Sequence, residues 1–276
     1  MPSYTPMELA NAFIRTGELT DALEALNDQL TQHPDDTEAR RLRAAVRLRI
    51  GDSIALAESH ADLEALLDKT TGDYTQLSLL AERQNDLPTA IAAMEEACKL
   101  APQDARLYER LVGLYMKHED YGAALARVRQ QPADWRWGQW EGDICVKMGD
   151  YAGALDAFHR VVQQLDERFD ARANQVVGAI RTRVLMACGF ACRRSGRYDL
   201  AELLYDDAEA YYPDETVIPF NRGLIQALRG ELDTAERLCR IALDATSNEL
   251  LKDEMLNTLR NEADLQPLRT RLLKEN

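Results

Sequence analysis

The chain has 276 residues, 46% hydrophobic and 29% charged, a balance that belongs to globular proteins with a buried core and excludes a disordered or fibrous polymer. Forty-seven acidic residues against 33 Lys and Arg give a net charge of −14, which sets the surface against phosphate backbones and anionic membranes, so neither nucleic acid nor membrane insertion is expected. Aromatic residues are only 7%, with 14 Gly and 9 Pro, too few for a strand-rich fold with many tight turns, and an α-rich chain is expected.

The amino terminus, MPSYTPMELANAF, has neither a basic start nor a continuous apolar stretch, so no secretory signal is visible and a cytoplasmic location is expected. Within it, Thr5 to Glu8 spells a capping box with Pro6 at the first helical position. The stretch GELTDALEAL (17–26) then recurs in altered form at NDLPTAIAAM (85–94), EDYGAALARV (119–128), GDYAGALDAF (149–158), GRYDLAELLY (196–205) and GELDTAERLC (230–239). Anchored on their turn residues, Gly17, Gly51, Asn85, Glu119, Gly149, Gly196 and Gly230, the copies advance by 34, 34, 34, 30, 47 and 34 residues. A period of this size marks a repeat solenoid rather than a set of unrelated domains.

Each anchor ends one helix where a left-handed residue is needed, which favours Gly or Asn and makes Glu119 the exception. Five residues later stand Ala22, Leu56, Ala90, Ala124, Ala154, Ala201 and Ala235; seven residues earlier stand Ala10, Ala44, Ser78, Val112, Gly142, Gly189 and Gly223. Small side chains at both places let two antiparallel helices nest, and the larger residues between them interlock with the next pair. Pro34, Pro102 and Pro213 mark where second helices have ended.

The middle is irregular. From Glu119 to Gly149 the repeat is short, with Gln130, Gln131 and Pro132 ending the helix early. From Gly149 to Gly196 it is 47 residues instead of 34, enough for about two extra turns on each of two antiparallel helices, so an extended hairpin is expected around 165–180. Trp135, Trp137 and Trp140 lie beside the shortened helix, either filling the gap it leaves or presenting an aromatic ledge. After Gly230 a further, degenerate pair with its turn near Ala263 and Asp264 closes the chain, its last helix carrying Arg269, Arg271, Lys274 and Glu275 as an exposed face.

Catalytic and metal chemistry find no motif: HExxH, CxxC, P-loop, GxGxxG and GxSxG strings are absent, and His33, His60, His118 and His159 show no ligand spacing. A non-enzymatic protein without cofactor or metal is therefore expected. Five scattered cysteines do not make a disulfide framework; Cys188 and Cys192, four apart, read as buried apolar residues or as a metal or redox pair. The apolar run VLMACGFAC (184–192) stops at Arg193, too short to span a bilayer. Two residues before each anchor come Arg15, Arg49, Arg83, Lys117, Lys147 and Arg194, a row that either complements helix C-terminal dipoles or offers cations to a ligand.

The recurring combination of small residue, turn glycine, Asp-Tyr or Glu-Leu, alanine, aromatic or leucine, then proline resembles the tetratricopeptide repeat over about residues 4–270. The second copy departs from it, with Leu56 and His60 in place of the small and aromatic residues. The resemblance implies a single all-α domain: a right-handed superhelical solenoid of antiparallel helix pairs over 4–35, 37–69, 71–103, 105–132, 135–167, 182–214 and 216–247, with a terminal pair at 249–275 and a C-terminal capping helix. It also implies a concave face lined by residues ten and six before each anchor. Those pairs are mixed or polar, as Gln139 with Asp143, until the apolar Met186 with Phe190 and Phe220 with Leu224. The expected groove therefore comprises Met186, Phe190, Phe220 and Leu224 with Arg83, Lys117, Lys147, Arg194, Trp137 and Trp140, holding a protein or peptide partner. The alternative is that the chain's own terminal helices, a twin subunit or the extended hairpin covers the apolar pairs, making the protein a structural subunit of a homo-oligomer or larger complex. The carboxylate clamp of chaperone-binding relatives is not expected: its places hold Met7, Asn11, Leu42, Gly72 and Gln76, of which only Asn11 fits.

Overall fold

The computed structural model describes residues 4–170, 174–211 and 216–273, and among these there are helices and turns but no strand. The helices run as antiparallel pairs: α1 (Pro6–Thr16) with α2 (Leu19–Gln32), α3 (Thr37–Ile50) with α4 (Ser53–Glu64), α5 (Thr71–Arg83) with α6 (Leu87–Leu100), and α7 (Ala105–Lys117) with α8 (Tyr121–Arg129). Then follow α9 (Trp135–Met148) with α10 (Tyr151–Arg168), α11 (Gln175–Arg194) with α12 (Tyr198–Glu209), α13 (Val217–Leu228) with α14 (Leu232–Ala245), and α15 (Glu249–Asn261) with α16 (Gln266–Leu273). The chain divides into two compact units, Met1–Arg127 and Val128–Asn276, with the division inside α8.

All seven anchors adopt left-handed backbone, from φ 60° at Asn85 and 62° at Glu119 to 90° at Gly230. The left-handed residue turns the chain, so its neighbours' amides reach back to the carbonyls left open at the helix end; Gly17 and Glu18, for example, both donate to the Phe13 carbonyl. Helix starts are fixed as firmly. Thr5 and Glu8 form the expected capping box, Thr70 and Asp73 form a second, and Asp36, Asp52, Asp86, Asp104, Asp134 and Asp150 cap other helices through their carboxylates.

The small positions lie where paired helices touch. Ala22, Ala90, Ala124, Ala154, Ala201 and Ala235 are fully buried, as are Ala10, Ala44, Ser78 and Val112 on the partner helices. A Cβ added to Gly142 would lie 2.3 Å from the Phe158 ring, one at Gly189 2.2 Å from the Tyr205 ring, and one at Gly223 2.5 Å from Cys239 Sγ. In these three pairs glycine on the first helix makes room for a large or sulfur-bearing residue nine places after the anchor. The second pair solves the same problem differently. Its inward face is turned by about one residue, so that Ala55 and Ser59 take the buried places while Leu56 is only partly buried and His60 is exposed. Ser59 Oγ donates to the Ala44 carbonyl at 2.8 Å, and Asp62 accepts from Arg43 and Arg47.

The long repeat is built as extra helix: α10 has 18 residues and α11 has 20. The extended hairpin is thus present, with residues 171–173 of its connection outside the described residues. Length and composition make α11 sufficient to cross a membrane, but 56% of its apolar window is buried against its own chain, as in a core helix. Beyond Gly230 the terminal pair forms with a short 3-10 turn at Ala263–Leu265. Pro213, Lys274 and Glu275 fall outside the described residues.

Candidate functional site

In the first unit the basic row has intramolecular work. Arg83 Nη1 donates to the Leu48 carbonyl at 2.7 Å, and Arg49 Nη1 points to the Ile14 carbonyl at 3.4 Å. Each thus serves the open carbonyls of the preceding pair's first helix, a dipole role exercised across the stack as well as on the residue's own helix. Lys117 Nζ is 3.1 Å from Glu82 Oε1. Arg83 and Lys117 are exposed but engaged, which counts against their service as ligand cations.

In the second unit the expected apolar surface is half closed. Phe220 is 3% exposed and Leu224 fully buried, packed in one cluster with Met255, Leu259, Leu265 and Leu268 from the terminal segment. These two are core residues here, covered by the chain's own terminal helices. An ion pair secures the cover: Arg193, buried on α11, donates two hydrogen bonds to Glu262 at 2.6 and 2.8 Å, and Arg194 adds a contact at 3.2 Å. Burial pushes the Glu262 carboxyl up, but the hydrogen bonds and charge of Arg193, with Arg194 behind, outweigh it and hold the group below the usual carboxylate range.

What remains open is a strip on α9 and α11. Residues four apart on α9, Gln139, Asp143 and Lys147, face Arg183, Met186, Phe190 and Arg194 at spacings of three and four on α11. Arg183 Nη2 donates to Gln139 Oε1 at 3.2 Å. Arg194 Nε donates to the Tyr151 hydroxyl at 3.1 Å, and the Tyr151 and Phe190 rings meet edge to face at 6.4 Å. The Arg193 guanidinium lies over the Phe190 ring at 5.3 Å, leaving that ring partly buried. Met186 is partly buried as well, packed against the core around Tyr205.

Asp143 is the unusual member. It is partly buried, and among the described residues no hydrogen bond or ion pair satisfies it. Burial pushes its carboxyl up to about 6, only partly opposed by the charges of Arg183 and Lys147. Lys147 is exposed and likewise has no ion-pair partner among the described residues.

The tryptophans stand mainly in packing roles: Trp137 is 7% exposed, while Trp135 and Trp140 are partly buried. Cys188 and Cys192 are buried in the core, and burial pushes the Cys188 thiol up to about 12. Sequence reasoning placed Gln139, Asp143, Met186, Phe190 and Arg194 on this face but missed Arg193 and Glu262. Those two sit 69 residues apart, and neither lies in a repeated position.

Family models described as tetratricopeptide repeat match residues 7–46, 75–135 and 192–249. A TPR repeat-containing protein of Pseudomonas aeruginosa is 33% identical over 114 residues, which is 41% of this chain and 44% of that protein, so the chain spans less than half of its relative. Among solved structures, the C-terminal part of a TPR repeat-containing protein from Cytophaga hutchinsonii superposes with TM-score 0.61 at 11% identity, covering 94% of this chain and 97% of that one. A tetratricopeptide repeat protein from Parabacteroides merdae gives 0.54 at 14% identity, with 93% and 98% covered. At these identities the two structures speak for the fold alone.

Proposed function

This chain belongs to the tetratricopeptide repeat family, whose general use is as a protein-interaction scaffold, and from that premise we propose that its second unit holds a peptide segment of a partner along α9 and α11 without covalent chemistry of its own. The observation that carries this reading is Asp143. Its carboxyl is raised by burial and stands near Arg183 and Lys147 without a hydrogen bond to either, which leaves it available to a donor on a ligand. A backbone N–H or a cationic side chain of the peptide satisfies Asp143. Lys147 and Arg183 on either side donate to carboxylates of the peptide, and Phe190 gives an apolar contact next to them. With Phe220 and Leu224 already covered, the apolar patch available for permanent self-association is reduced, which favours a peptide over a twin subunit.

The test is selection of random displayed peptides on the intact protein, followed by titration of the winners against Asp143→Asn and Lys147→Glu. Weaker binding to both variants, with unchanged helical circular dichroism, is the expected outcome. Winners that bind both variants as tightly as the parent place the ligand elsewhere and remove the proposal.

A further inference from the structure

The first helix pair has an outward face that no helix among the described residues covers. On α1 it carries Leu9 and Phe13, with Tyr4 just ahead of the helix; Tyr4 is 69% and Leu9 38% exposed. On α2 it carries Asp21, Glu24 and Asp28, at spacings of three and four and therefore on one stripe. Between the stripes runs an open cleft of about 230 Å³. The face is apolar on one wall and acidic on the other.

We propose that this face is a second docking surface, which takes a basic amphipathic helix from a protein partner. The shape points to a helix. Two antiparallel helices leave a furrow of the kind that a third fills by ridges-into-grooves packing, and the stretch from Tyr4 to Phe13 is long enough for more than two helical turns. The charge points to a basic one. Asp21, Glu24 and Asp28 are exposed, line one wall of the cleft together and have no ion pair or hydrogen bond among the described residues, so all three are available to cations of a ligand. A helix bringing leucine-like side chains to Leu9 and Phe13 and Lys or Arg to the three carboxylates answers both walls at once. This surface lies in the first unit and shares no residue with the strip on α9 and α11.

The experiment displays a library of 18-residue amphipathic helices, randomised on the polar face, against the intact protein. Enrichment of Lys and Arg is expected in the winners. Their affinity should fall about tenfold for the triple variant Asp21→Asn, Glu24→Gln, Asp28→Asn, fall similarly for Leu9→Ser, and weaken as salt rises, while Asp143→Asn leaves it unchanged. Circular dichroism should not move, because the three carboxylates are exposed and unpaired. The inference is overturned if no helix is enriched, if the winners are acidic or neutral, or if they bind the triple variant like the parent. It is equally overturned if light scattering shows a dimer of the free protein that Leu9→Ser dissolves, since a second copy would then be the occupant.

Discussion

Glu119 holds a conformation that the other anchors give to Gly or Asn, so Glu119→Gly should stabilise the protein. Its φ of 62° costs a residue with a Cβ roughly 1–2 kcal/mol, and glycine returns about 0.5–1 kcal/mol of that through the freedom it adds to the unfolded chain. The net gain expected is about 0.5–1 kcal/mol. No side-chain contact offsets it, because Glu119 is exposed and makes no side-chain bond among the described residues; its amide donates to the Met116 carbonyl at 3.2 Å, which glycine preserves. Gly149→Ala supplies the reverse test. At φ 76° an added Cβ would find no atom within 4 Å, so any loss there is conformational and should be about 1 kcal/mol. Urea titration followed by far-ultraviolet circular dichroism measures both. Tryptophan fluorescence reports on the second unit alone, since Trp135, Trp137 and Trp140 all lie there. A lower midpoint for Glu119→Gly, or an unchanged one for Gly149→Ala, would refute the left-handed requirement at the anchors.

Two further changes probe the helix contacts and the strip. Gly142→Ala places a methyl 2.3 Å from the Phe158 ring and should cost about 1–3 kcal/mol by calorimetry, with part recovered when Phe158→Leu is added. Asp143→Asn should stabilise the chain by about 3 kcal/mol above pH 7. The carboxyl is pushed up to about 6 in the folded state from an unfolded value near 4, so the folded form binds the extra proton and the parent regains stability as pH falls between those values. Denaturation midpoints of parent and variant should therefore converge near pH 4, and a constant difference across that range would refute the burial of an unpartnered charge.

The repeat was legible because its signals are local and written several times over. A turn residue fixes its own backbone, and an alanine five places on fixes how near the next helix can come. These requirements do not depend on distant chain, so Gly17 and Gly230 obey the same rule at opposite ends of the sequence. Even the second pair keeps the rule in altered form, with Ala55 and Ser59 buried in the places that the spacing from Gly51 assigns to Leu56 and His60. The buried ion pair of Arg193 and Glu262 was not legible, since it joins helices from different repeats at positions that the period does not mark. The partner-free state of Asp143 was not legible for a related reason: sequence spacing puts it on the inner face but does not show which neighbours come within hydrogen-bond reach.

The two ends of the chain show why a face can be read more readily than its occupant. Phe220 and Leu224 have the periodicity of a ligand surface, yet residues 255–268 cover them, because apolar side chains on a helix face are satisfied equally by a partner or by a later part of the same chain. Thr5 and Glu8 mark where α1 begins, yet that capping box governs only the first turn of the helix and leaves the outward stripe of Leu9 and Phe13 unconstrained. Local hydrogen bonding determines where a helix begins; the burial of its faces is decided by whichever surface reaches them first. For Phe220 that surface lies within the same chain, and for Leu9 none of the described residues provides it.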